Sequence, residues 1–134
     1  MSQSDIILTM PATSQHLVLA RAAVASVCAS LDFGIDRIED VKLAVDEACA
    51  LLLADTDPEQ TLTLTISPTS SHNTIAVSVA AVTRRGRSPR TDSFSWTVLS
   101  ALVDDVTAQA TDGTVSITLQ AGQNPVTHAA QVNA

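Results

Sequence analysis

Tyrosine is absent from this 134-residue chain, and Phe33, Phe94 and Trp96 are its only aromatic side chains. With aromatics at 2%, almost nothing is available to stack on nucleic-acid bases, which excludes a single-strand or RNA-binding platform. Basic residues are scarce too: seven Lys and Arg face fourteen Asp and Glu, for a formal charge of −7. Four of the seven, Arg84, Arg85, Arg87 and Arg90, share one short segment, and taking them away leaves about −11 for the rest. Such a body repels DNA and RNA and suits a protein partner with basic surfaces. The two cysteines, Cys28 and Cys49, lie among apolar neighbours without metal spacing, so they read as small buried hydrophobes in a reducing compartment. No run approaches the roughly 18 apolar residues of a membrane span, and the start lacks the basic, apolar and small-residue regions of a leader. The expectation is a cytoplasmic protein.

What is present is an aliphatic chain, 46% hydrophobic, long enough for one domain with a core of its own. Ile6 to Met10 reads as a strand ahead of Pro11. Ser14 is the expected N-cap of a helix carrying Leu17, Ala20, Val24, Val27 and Leu31, which Gly34 should end. Asp36 and Glu39 match a capping box for a second helix, along which Ile38, Val41, Val45, Ala48 and Leu52 form one apolar stripe. Glu47 and Leu51 stand one turn apart on another face.

Beyond the Asp57-Pro58-Glu59 turn, Leu62, Leu64 and Ile66 alternate with threonines, and Ile75, Val77 and Val79 alternate after the polar stretch Pro68 to Asn73. These two runs predict an antiparallel hairpin. A third helix falls within Ser93 to Val106, a short strand near Thr107 to Thr111, and a last strand from Thr114 to Ala121 after Asp112-Gly113. The order β-α-α-β-β-α-β-β predicts an α+β fold, a two-layer sandwich with a mixed, mostly antiparallel sheet and helices on one face. Residues 1–121 make the domain; residues 122–134 lose all periodicity and read as a flexible tail.

The segment Val41 to Cys49, VKLAVDEAC, resembles the helix motif V-x-x-A-V-x-E-A-C-x-N of RsbW-type anti-sigma factors, which have the Bergerat (GHKL) ATP-binding fold. Ser93 to Val106, SFSWTVLSALVDDV, resembles the family's G-L-G-L-x-L-I-x-x-L-x-D-x-V helix, and the order and spacing of the two agree. The resemblance spans roughly Asp5 to Ala121 and is strongest to the actinobacterial branch that controls a sigma-F-type stress sigma factor.

The resemblance implies an anti-sigma factor that sequesters an alternative sigma factor, is countered by an anti-anti-sigma protein, and forms a homodimer. It also brings an alternative, a serine kinase that phosphorylates its antagonist with Glu47 as general base. Departures from the motif weigh against that alternative. Leu51 stands where the family has the Asn that helps hold Mg²⁺, and an aliphatic side chain offers no oxygen to a hard cation. Ala80-Ala81-Val82-Thr83 replaces the adenine-reading D-x-G-x-G box, and Ser93-Phe94-Ser95-Trp96 replaces the phosphate loop. Leu51, Ala81 and Thr83 are thus lost nucleotide contacts.

No cofactor is expected on this reading. Mg-ATP remains the alternative, with Asp46 and Glu47 as the residues that would serve it. Candidate partner-binding residues are Arg21, on the first helix, and Arg84, Arg85, Arg87 and Arg90, where the family carries a lid over nucleotide; arginine forks suit carboxylate and phosphate oxygens. No nucleic-acid or membrane partner is expected.

Overall fold

A computed structural model describes residues 4–124. Its elements are β1 (Ile6–Pro11), a 3-10 turn (Ser14–His16), α1 (Leu17–Ser30), α2 (Ile35–Leu53), β2 (Thr61–Thr69), β3 (Thr74–Val82), α3 (Phe94–Leu102), β4 (Asp105–Thr111) and β5 (Thr114–Gly122). The order is the expected one, and the fold is α+β. The strands form one sheet in the order β1-β2-β3-β5-β4, with every neighbouring pair antiparallel. The room left for a mixed sheet is not used: among the described residues no strand pair is parallel, because hairpins join β2 to β3 and β4 to β5 directly.

Alternation along the strands builds the core. Leu64, Val79 and Ile117 are register neighbours across three strands, as are Ile66, Val77 and Leu119, and all six are buried. The intervening threonines, serines and alanines stay half-exposed on the opposite face. Against the buried face α2 sets Val41, Val45, Ala48 and Leu52, the stripe read from the sequence; Ile38, its first member, is only half-buried. α2 is the central helix, packed on α1 to one side, α3 to the other, and β3 and β5 below.

Helix ends depart from the sequence reading. The N-cap of α2 is Gly34, not Asp36; Asp36 falls in the first turn, and Glu39 pairs with Lys42 at 3.0 Å, so no capping box forms. α1 starts at Leu17 after the 3-10 turn, so Ser14 does not cap it. α1 ends at Ser30, and the left-handed residue of the following turn is Asp32, with φ of 62°, whereas Gly34 is extended. Aspartate tolerates that region better than most non-glycine residues. α3 stops at Leu102, so Val106, read as helical, belongs to β4. Of the expected tail, Gly122 closes β5, and residues 125–134 lie outside the described residues.

One buried cation locks these layers. Arg37, only 2% exposed, donates from Nε to the Gly122 carbonyl at 2.9 Å and from Nη1 to the Leu102 carbonyl at 2.8 Å. Its Nη2 lies 3.2 Å from Asp104 Oδ1, and Asp104 Oδ2 accepts the Gly122 N–H at 2.6 Å. The first turn of α2 is thereby fixed to the end of α3 and to the last residue of β5, which holds the rest of α2 over the middle of the sheet. Among the described residues no helix is long and apolar enough to cross a membrane.

Candidate functional site

The C-terminal half of α2 faces the segment between β3 and α3, and a cleft of about 400 Å³ opens between them. Leu51 and Leu52 contribute from α2, Asp55 from just beyond it, Thr83 from the end of β3, and Arg85, Arg87 and Arg90 from the loop. The structure therefore brings Leu51, Thr83 and three of the four loop arginines to one place. Glu47, Asp46, Arg21, Ala81 and Arg84 do not line it.

Each of these has its own surroundings. Asp46 receives Arg21 Nη1 on both carboxylate oxygens, at 2.8 and 3.1 Å, in a half-exposed bridge between α2 and α1. Two residues singled out for different roles are thus each other's partners. Glu47, the next residue, is half-buried and makes no ion pair among the described residues. Ala81 is buried in β3 beside Val115 of β5, and Val115 itself lines the cleft. Phe94, at the start of α3, is 82% exposed, whereas Trp96 is half-buried against the core and donates its backbone N–H to Ser93 Oγ at 3.1 Å, the side-chain cap of α3.

The loop is held by its main chain. Arg84 N–H donates to the Asp55 carbonyl at 2.7 Å, and Arg85 N–H donates to Asp55 Oδ2 at 3.1 Å, with Arg85 Nε 3.5 Å from Oδ1. Thr83 donates its N–H to the Gly113 carbonyl at 3.1 Å, and its hydroxyl accepts the Gly86 N–H at 2.8 Å. Gly86 has φ of 63°, and a Cβ there would sit 3.3 Å from Gly113 Cα, so both turn and close approach demand glycine.

Asp55 is the site residue that sequence reasoning missed. A signal existed: it is an acid just past the C-terminus of a helix, where the dipole disfavours negative charge, so its placement needs a compensating partner. Further along the loop, Arg90 meets Asp92 with two parallel bonds, Nε to Oδ1 at 2.9 Å and Nη2 to Oδ2 at 2.7 Å. That mutual hydrogen bonding holds the Asp92 carboxyl below its usual range and raises Arg90. Arg87 has no ion pair among the described residues.

The donor set does not fit a magnesium nucleotide. Leu51 presents carbon to the cleft, and the lining's carboxylate, Asp55, already accepts the Arg85 N–H and lies 3.5 Å from the Arg85 guanidinium. Among the described residues no cluster of three or more His, Cys, Asp or Glu side chains is arranged to hold a metal ion. Arg85, Arg87 and Arg90 line the cleft together with the half-buried Leu51, and guanidinium forks suit carboxylate and phosphate oxygens alike. Cys49, near Asp46, has its thiol pushed up to about 12 by burial and then by the Asp46 charge, so it supplies no thiolate.

Comparison with known proteins gives three findings. No family model matches the chain. The anti-sigma-F factor RsbW of Mycobacterium tuberculosis, in two strains, is 36% identical over 99 residues, a match covering 74% of this chain and 58% of each relative. The chain thus spans a little over half the length of the curated relatives it matches. Among solved structures, the RsbU and RsbW domains of Rv1364c from the same organism share the fold, with a TM-score of 0.69 at 17% identity, covering 90% of this chain and 32% of that one. Across the 99 matched residues, and in the fold that surrounds them, this chain is a relative of the RsbW-type anti-sigma factors.

Proposed function

We propose that this protein is an anti-sigma factor that binds and sequesters a stress-type alternative sigma factor, does so without nucleotide chemistry, and is countered by an anti-anti-sigma protein. Kinship with proteins named anti-sigma-F factor supports the partner class. The observation that carries nucleotide independence is Leu51 on the cleft wall, with Asp55 engaged by the loop. Inhibition by binding needs only a surface held in place, which the Arg37 lock and the packed α2 provide. The acidic body, at −7 overall, complements a partner with basic DNA-binding faces. A homodimer and a cytoplasmic setting belong to the same proposal.

Size-exclusion chromatography with the candidate sigma factor, with and without Mg-ATP, tests it. The expected result is the same complex in both buffers. A complex that forms only with Mg-ATP would restore the kinase alternative with Glu47 as base, and no complex in either buffer would reject the sigma-factor reading.

A further inference from the structure

We propose that the cleft between α2 and the arginine loop is a docking groove for an acidic peptide segment of a partner protein, gripped by Arg85, Arg87 and Arg90. The chemistry of the occupant is written in the loop's own contacts. Two of the three arginines are met by carboxylates of this chain: Arg85 by Asp55, and Arg90, through both ends of its fork, by Asp92. Asp92 is far out in solvent, at 68% side-chain exposure, so an incoming carboxylate exchanges with it at little desolvation cost. Arg87, with no ion pair among the described residues, is the open position.

Charge and shape narrow the class. The positive charge is concentrated here, on a chain otherwise near −11, so the cleft is where a negative segment is drawn and the remainder is where it is repelled. The same lining has apolar members: Leu51 and Pro89 are half-buried, and Leu52 and Val115 are buried. A groove that combines guanidinium groups with aliphatic side chains matches a peptide carrying both acidic and apolar side chains, and gives a bare phosphate ion only the guanidinium part. The inference stands apart from the sigma-factor reading, since its test contains no sigma factor and either can fail alone.

The test is titration of the full chain with a synthetic octapeptide of alternating glutamate and leucine, followed by Trp96 fluorescence and calorimetry. A lysine–leucine octapeptide and inorganic phosphate run beside it. The expected result is saturable binding of the glutamate peptide only, weakened about tenfold or more by Arg87→Ala, less by Arg87→Lys, and strongly reduced by high salt. Arg87→Ala leaves the Asp55 anchors intact, so unchanged circular dichroism separates lost grip from lost fold. The proposal is overturned by absent binding, by equal binding in the Arg85→Ala/Arg87→Ala/Arg90→Ala variant, or by phosphate binding as tightly as the peptide, which would make the cleft a general anion site.

Discussion

Arg21 Nη1 lies 2.8 Å from Asp46 Oδ1, a bridge from α1 to α2 made one residue ahead of Glu47. Both side chains are about one-third exposed, so water screens the pair and its coupling is small. A double-mutant cycle of Arg21→Ala and Asp46→Ala on urea unfolding should give a coupling of about 0.5 kcal/mol. A coupling above about 2 kcal/mol would mean that the bridge is structural.

Arg37 should behave differently. Arg37→Met removes a buried guanidinium and leaves the Leu102 and Gly122 carbonyls without their donor. The expected loss is roughly 2–3 kcal/mol, short of the extreme because Asp40 and Asp104 keep contact with water. Chemical denaturation measures it, and a loss below about 0.5 kcal/mol would contradict the locking role.

Two glycines divide by conformation. Gly34 is the extended N-cap of α2 with open space around its Cα, so Gly34→Ser should raise stability by about 0.3 kcal/mol through a side-chain cap. Gly86 is left-handed and close to Gly113, so Gly86→Ala should lower it by about 1 kcal/mol or more. Thermal melts of both variants should move in opposite directions.

Nucleotide should leave the protein unchanged. Trp96 is the single tryptophan and sits at the start of α3, three residues from the cleft-lining Ser93. Its emission is expected to be the same with and without millimolar Mg-ATP. A saturable change that Glu47→Ala abolishes would point to a working nucleotide site.

The cysteines give stability a high-pH limit. Burial pushes Cys28 up to about 11 and Cys49 up to about 12, from an ordinary 9.0. A thiol pKa raised by folding means that its contribution is whole below pH 9 and is lost as pH climbs towards 11–12, where the unfolded chain ionises first. The urea midpoint should fall over that window, and less steeply in a Cys28→Ala/Cys49→Ala variant compared with its own value at pH 8. Equal slopes would locate the pH effect elsewhere.

The strands and the α2 stripe were open to sequence reading because burial of one face imposes a period, two for Leu62 to Ile66 and 3.6 for Val41 to Leu52. What escaped were residues whose partners are distant in sequence. Arg37 looks like any polar surface residue until β5 returns to it from 85 positions away. Asp36 and Glu39 matched a capping pattern that the backbone did not use, because the N-cap lies two residues earlier, at Gly34. The candidate site divides the same way: Leu51 and the arginines were visible as residue types, while Asp55, which decides how they meet, was not.

Asp55 has one more effect. It positions the loop through the N–H groups of Arg84 and Arg85, which every residue but proline carries, while the side chains that face the cleft take no part in two of those three contacts. The path of this loop and the charge it carries therefore rest on different groups: replacing the Arg87 or Arg90 side chain changes the charge at the cleft and leaves the three Asp55 contacts in place, so the frame and the cargo it presents are separable by mutation.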